Sequence, residues 1–115
     1  MQYYKLTEDK KVVPVSEEEG MLQYGKDRRV DLTEDENYVV STVFLVLDHS
    51  FDPDIIHVFE TMVFLIDSLQ EQDMERYSTW EEAEEGHDRM CEKWLKQKTY
   101  LPICVGKRMI TFGEK

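Results

Sequence analysis

Glu60 and His87 stand where an apolar side chain would ordinarily be expected. Glu60 lies near the middle of VFETMVFLI (58–66), which otherwise reads as a buried strand. His87 lies at the centre of the apolar face of a helical segment further on. Asp48 and His49 open DHSFDPDIIH (48–57), a loop rich in carboxylates and imidazoles. A carboxylate beside an imidazole can orient the ring and tune it as a general base. Asp48, His49, Glu60 and His87 are therefore the candidate binding pocket, for a small ligand or a metal of unspecified identity. The alternative is a Glu60–His87 pair that satisfies itself inside the core. A buried imidazole without a partner forfeits about 1–3 kcal/mol, and a buried carboxylate suffers more. Thr61, Asp48, His49, Ser41 and Thr42 are the other partners on offer.

The remaining motifs argue against standard chemistries. The spacing of Asp48, His49, Asp52, Asp54 and His57 fits no zinc site, and the loop lacks the glycine of an EF-hand. Glu84 and His87 have the i, i+3 spacing of di-iron bundles but no partner helices to complete the set. Cys91 follows His87 by one helical turn and belongs to the same apolar stripe, which suits an inert core thiol better than a reactive one. HExxH, G-x-S-x-G, P-loop and G-x-G-x-x-G patterns are absent. No cofactor is called for, and a non-enzymatic role is expected.

The elements that must position these residues follow from periodicity and punctuation. QYYKLTE (2–8) and VVPV (12–15) read as short strands around a turn at DKK, with Pro14 on an edge. Ser16 and Glu19 form a capping box for a short helix over 16–28, weakened by Gly20 and Gly25. RRVDLTE (28–34) is a strand closed by the turn DEN. YVVSTVFLVLD (38–48) is a central strand, apolar on both faces. IIHVFETMVFLID (55–67) is its antiparallel neighbour, and SLQEQDMER (68–76) reads as a polar connector. The long helix is STWEEAEEGHDRMCEKWLKQ (78–97), capped by Ser78 or Thr79 with Glu81 or Glu82. At about 100° per residue, Trp80, Ala83, His87, Met90, Cys91, Trp94 and Leu95 share one arc, with Glu84 at its edge. Its acids gather at the N-terminal end and its bases at the other, as the helix dipole favours. TYLPICV-GK-RMITF (99–112) reads as a hairpin turning at Gly106-Lys107. The expected fold is α+β. It is a single domain over 1–115, with an antiparallel sheet packed on one long and one short helix and a C-terminal hairpin extension at 99–115.

Composition narrows the partners. The 115 residues carry 25 acids against 14 bases, a net charge of -11. That sign opposes direct binding to a nucleic-acid backbone or to an anionic membrane, and it suits a basic protein partner. No apolar run approaches a membrane span, and MQYYKLTEDKK lacks a signal-peptide core, so a soluble cytoplasmic protein is expected. Cys91 and Cys104 form no metal motif and are expected to pack as small hydrophobes.

The segments YKL, VSTVFLVLDHSF, FETMVF and ERYSTWEEAEEGH resemble a family of small uncharacterised bacteriophage and prophage proteins. Its pattern runs VSTVFLGLDH, FETMVF, RYSTWEEAEAGH. Asp48, His49, Glu60, Met62, Tyr77, Trp80, Glu81 and His87 match it. His57 stands where that family has an apolar residue, and the tail beyond Trp94 lies outside the pattern. The resemblance implies a phage-related protein in the cytoplasm of an infected or lysogenic host. The leading expectation is an accessory protein that binds a host protein, as an inhibitor of a defence system would. The alternatives are a ligand- or metal-binding protein (a nucleotide-signal sponge or minor hydrolase) built on the candidate pocket, and a virion protein. Homo-oligomerisation through the Pro14 edge or the C-terminal hairpin belongs with the last.

Overall fold

In the two central strands of this chain, alternate residues are fully buried and the residues between them are only partly so. The structure, a computed structural model, describes residues 2–48, 50, 52 and 54–95, together with the backbone of 100–105 and 108–111. The element order is β1 (Tyr3–Leu6), β2 (Val12–Val15), α1 (Glu17–Tyr24), β3 (Arg29–Glu34), β4 (Tyr38–Phe44) and β5 (Phe59–Leu65). Then come β6 (Glu71–Tyr77), α2 (Trp80–Trp94), β7 (Tyr100–Val105) and β8 (Arg108–Thr111). β3–β6 form a four-stranded antiparallel sheet in sequence order, while β1–β2 and β7–β8 are separate two-stranded hairpins. The α+β class expected from the sequence is the class observed. α1 has 8 residues and α2 has 15. Among the described residues, no helix is long and apolar enough to cross a membrane.

The register stacks residues in transverse rows beneath α2. Phe44, Phe59 and Tyr77 make one row; Asp31, Thr42, Thr61 and Glu75 the next; Thr33, Val40, Val63 and Asp73 the third. The core follows these rows. One apolar cluster joins Phe44, Phe59 and Tyr77 to Tyr4, Val46, Val58, Trp80 and Ala83, and a second joins Val40 and Val63 to Met90, Cys91 and Leu95. A polar row separates them. The opposite face of the sheet carries Leu32, Val39, Ser41, Val43, Glu60, Met62, Phe64, Met74 and Arg76. None of these residues is fully buried, and no described element packs over them as a layer.

Local chemistry explains the boundaries. Ser16 Oγ accepts from Glu19 N and starts α1; Thr79 Oγ1 accepts from Glu82 N, while Glu82 reaches back to Ser78 N, and starts α2. Asp35 closes the β3–β4 turn by accepting from Asn37 N and Tyr38 N. Residues 68–76, expected to be a polar connector, instead contain most of β6. The apolar alternation that marks a strand is missing because β6 is an edge strand whose α2-facing residues, Asp73 and Glu75, meet cations and hydroxyls rather than oils. The two central strands are also shorter than expected, because the chain leaves the ladder after Phe44 and rejoins it at Phe59.

Val46 governs that departure. It is fully buried, yet its φ is 75°, a left-handed conformation that β-branched residues rarely adopt. The kink lets Val46 O accept from Tyr4 N and Leu47 bridge Tyr3, which ties the β1–β2 hairpin to the main sheet. Glycine normally costs about 1 kcal/mol relative to alanine in regular structure, but here it relieves about 1–2 kcal/mol of left-handed strain. Both truncations lose the valine packing. Urea denaturation should therefore find the Val46→Gly variant more stable than the Val46→Ala variant by about 1 kcal/mol, the reverse of the usual order.

Candidate functional site: a buried polar row and the helix above it

His87 is the one fully buried imidazole among the described residues, and α2 places it directly over the polar row. Its Nδ1 lies 2.7 Å from Thr42 Oγ1 and its Nε2 lies 2.9 Å from Thr33 Oγ1. Asp31 Oδ2 is 3.8 Å from the same Nε2. From Thr42 the contacts continue across the sheet. Thr42 Oγ1 is 2.5 Å from Thr61 Oγ1, which is 3.1 Å from the Tyr77 hydroxyl. Tyr77 donates to Glu75 Oε1 at 2.8 Å, and Arg89 Nη2 donates to the same oxygen at 3.1 Å. The result is a continuous polar seam from β3 to β6.

The seam has a direction. A carboxylate only accepts, and a hydroxyl has one proton to give. Tyr77 gives its proton to Glu75, so Thr61 donates to Tyr77, Thr42 donates to Thr61, and His87 Nδ1–H donates to Thr42. Burial pushes the Tyr77 phenol well above its usual range; the Thr61 hydrogen bond opposes this and the Glu75 carboxylate adds to it. Tyr77 thus stays a donor at any physiological pH. Gly86 makes room for it: a Cβ there would overlap the Tyr77 ring at Cζ and the hydroxyl.

The expected Glu60–His87 pair does not form. Strand alternation puts Phe59, Thr61 and Val63 under α2 and Glu60 on the opposite face. There Glu60 Oε2 accepts from Arg76 Nε at 3.0 Å, its cross-strand neighbour. Asp48 is elsewhere again: its Oδ1 accepts from Ser50 N and His57 N, both at 2.9 Å, and so pins the ends of the loop together. His49 lies outside the described residues. The described members of the candidate pocket therefore do not converge. Among the described residues, no group of His, Cys, Asp and Glu is arranged to hold a metal ion. Thr42 and Thr61 were on the short list of partners for His87, and both belong to the seam. Asp31, Thr33, Tyr77 and Glu75 were not. The signal for them was the register, since all but Thr33 and Tyr77 share one transverse row with the two threonines.

What the interior seals, the surface displays. Arg89 and Lys93 of α2 reach sideways to β6, where Lys93 Nζ donates to Asp73 Oδ2 at 2.8 Å beside the Trp94 indole N–H at 2.9 Å. The Lys93 and Trp94 hydrogen bonds hold the Asp73 carboxyl down at about 2. The outward side of the helix carries Glu81, Glu85, Asp88 and Glu92, all exposed. Near its N-terminus, Lys10 Nζ sits 4.7 Å over the Trp80 ring, at a groove of about 490 Å³ that also includes Lys11, Ile55 and Ile56.

Two measurements check this geometry. His87→Leu leaves hydroxyls of the seam without their partner and should lower stability by about 2–3 kcal/mol. Thr42→Val should also destabilise. The double variant should lose less than the sum by at least about 1 kcal/mol, because one apolar contact replaces one broken bond. For Asp73, a depressed folded pKa means stabilisation that is present above its unfolded value near 3.8 and lost as pH falls through about 2. The stability difference between wild type and Asp73→Asn should accordingly be constant at neutral pH, shrink as pH falls below 3.8 and vanish only below about pH 2 in denaturation titrations. No protein-family model, curated protein or solved structure matches this chain.

Proposed function

We propose that the chain is a phage-related accessory protein that works by binding a basic host protein, with the outward face of α2 as its contact surface. The observation that carries this reading is the spacing of Glu81, Glu85, Asp88 and Glu92. They follow one another at i, i+4, i+7 and i+11, so they line one side of the helix. At 1.5 Å per residue they span about 16 Å. Arg89 and Lys93 do not interrupt the line, because each turns to a carboxylate on β6.

Two further features support it. The His87 seam and the two apolar clusters hold α2 rigidly on the sheet, and a rigid carboxylate array binds without a large ordering cost. The net charge of -11 supplies a long-range field that speeds encounter with a cationic partner and is screened by salt. Small size, acidity and the phage resemblance together suit the inhibition of a host defence component as the use of such a surface.

Immobilised chain should capture a basic protein from host lysate at low ionic strength and release it as salt rises. A Glu81→Lys/Glu85→Lys variant with unchanged thermal stability should capture it at least tenfold less well. An empty pull-down at low salt, or equal capture by the variant, would refute the reading.

A further inference from the structure

Among the described elements, the four-stranded sheet is covered on one side only. Its other face presents apolar residues in register among polar ones: Leu32, Met62 and Met74 share one transverse row with Ser41, Val39 and Phe64 lie beside them between Glu34 and Glu71, and Val43 lies on the other flank next to the Glu60–Arg76 pair. Leu32 and Met74 are 41% and 43% exposed. With strands about 4.8 Å apart and rows about 7 Å apart, these three rows span on the order of 400 Å², roughly half of it apolar.

The same chain contains an apolar element without a layer of its own. β7 and β8 pair with each other, Tyr100 opposite Thr111 and Val105 opposite Arg108. Among the described elements, neither packs as a layer on the sheet or on a helix. In sequence, every strand residue of this hairpin except Arg108 and Thr111 is apolar. An isolated two-stranded hairpin is marginal in water and needs a surface to lie on.

Its own sheet face is out of reach. α2 ends with Leu95 packed on Val40 and Val63, over the two central strands. From Leu95 to Tyr100 the chain extends at most about 17 Å. The layers on either side of a sheet are separated by about 20 Å, more than this reach. The tether is too short for the hairpin to lie on the open face of its own sheet.

We infer that the C-terminal hairpin of one copy docks on the open sheet face of a second copy, so that two chains exchange hairpins across a twofold axis. Each chain then contributes one face and one hairpin, about 800 Å² per partner, the size of a stable specific interface. The symmetry closes at two copies. The occupied face is not the acidic side of α2, so this inference stands apart from the proposed host-binding surface.

Sedimentation velocity on the full chain should show a dimer. Met62→Glu on the open face and Ile103→Glu/Ile110→Glu in the hairpin should each yield monomers with the wild-type circular dichroism spectrum. Met74→Glu serves in place of Met62→Glu if that variant does not fold. Mixing the face variant with the hairpin variant should restore a heterodimer, because one hairpin–face contact is then intact. A monomeric wild type, a hairpin variant that stays dimeric, or no heterodimer on mixing would overturn the exchange.

Discussion

An imidazole with no access to water must have its hydrogen bonds made by the protein, and much of this fold is arranged around that requirement. His87 sits at the middle of the buried stripe of α2. The sheet answers with a row of polar side chains at the matching height, from Asp31 through Thr42 and Thr61 to Glu75. The apolar clusters on either side supply most of the burial free energy, but they would tolerate a helix sliding along the sheet. The seam would not, because a shift of one turn would set the ring against Phe or Val and strand several hydroxyls. Hydrophobic packing here provides the driving force, and the polar row provides the address.

The outer charges extend the same arrangement. α2 has an inner stripe that satisfies His87, a lateral edge where Arg89 and Lys93 meet Glu75 and Asp73, and an outer acidic side. The acid run in WEEAEE therefore does several jobs: Glu82 caps, the N-terminal acids favour the helix dipole, and Glu81 and Glu85 begin the surface array.

The central strands, both helix caps and the inward face of α2 were legible because each rests on a strong local signal: β-branched runs, Ser or Thr with Glu three residues on, and apolar residues at helical spacing. That His87 points at the sheet follows from the same periodicity. What it meets there does not, since period-two alternation gives the members of each face of VFETMVF but not which face the helix covers. That choice moved Glu60 to the far side and left Thr61 beneath the ring. β6 was illegible for a related reason. Edge strands that meet ion pairs carry no apolar alternation, so its role appears only once its neighbours are in place.

β3 and β6 are the two edges of the sheet, and edge strands ordinarily fray first, each on its own side. Here the seam runs without a break from Thr33 on one edge to Glu75 on the other, through a ring on the helix. Peeling either edge exposes the ends of a hydrogen-bond chain that the opposite edge also depends on. Amide protons of β3 and β6 are thus coupled through α2, and the sheet and its helix open to solvent as one cooperative unit.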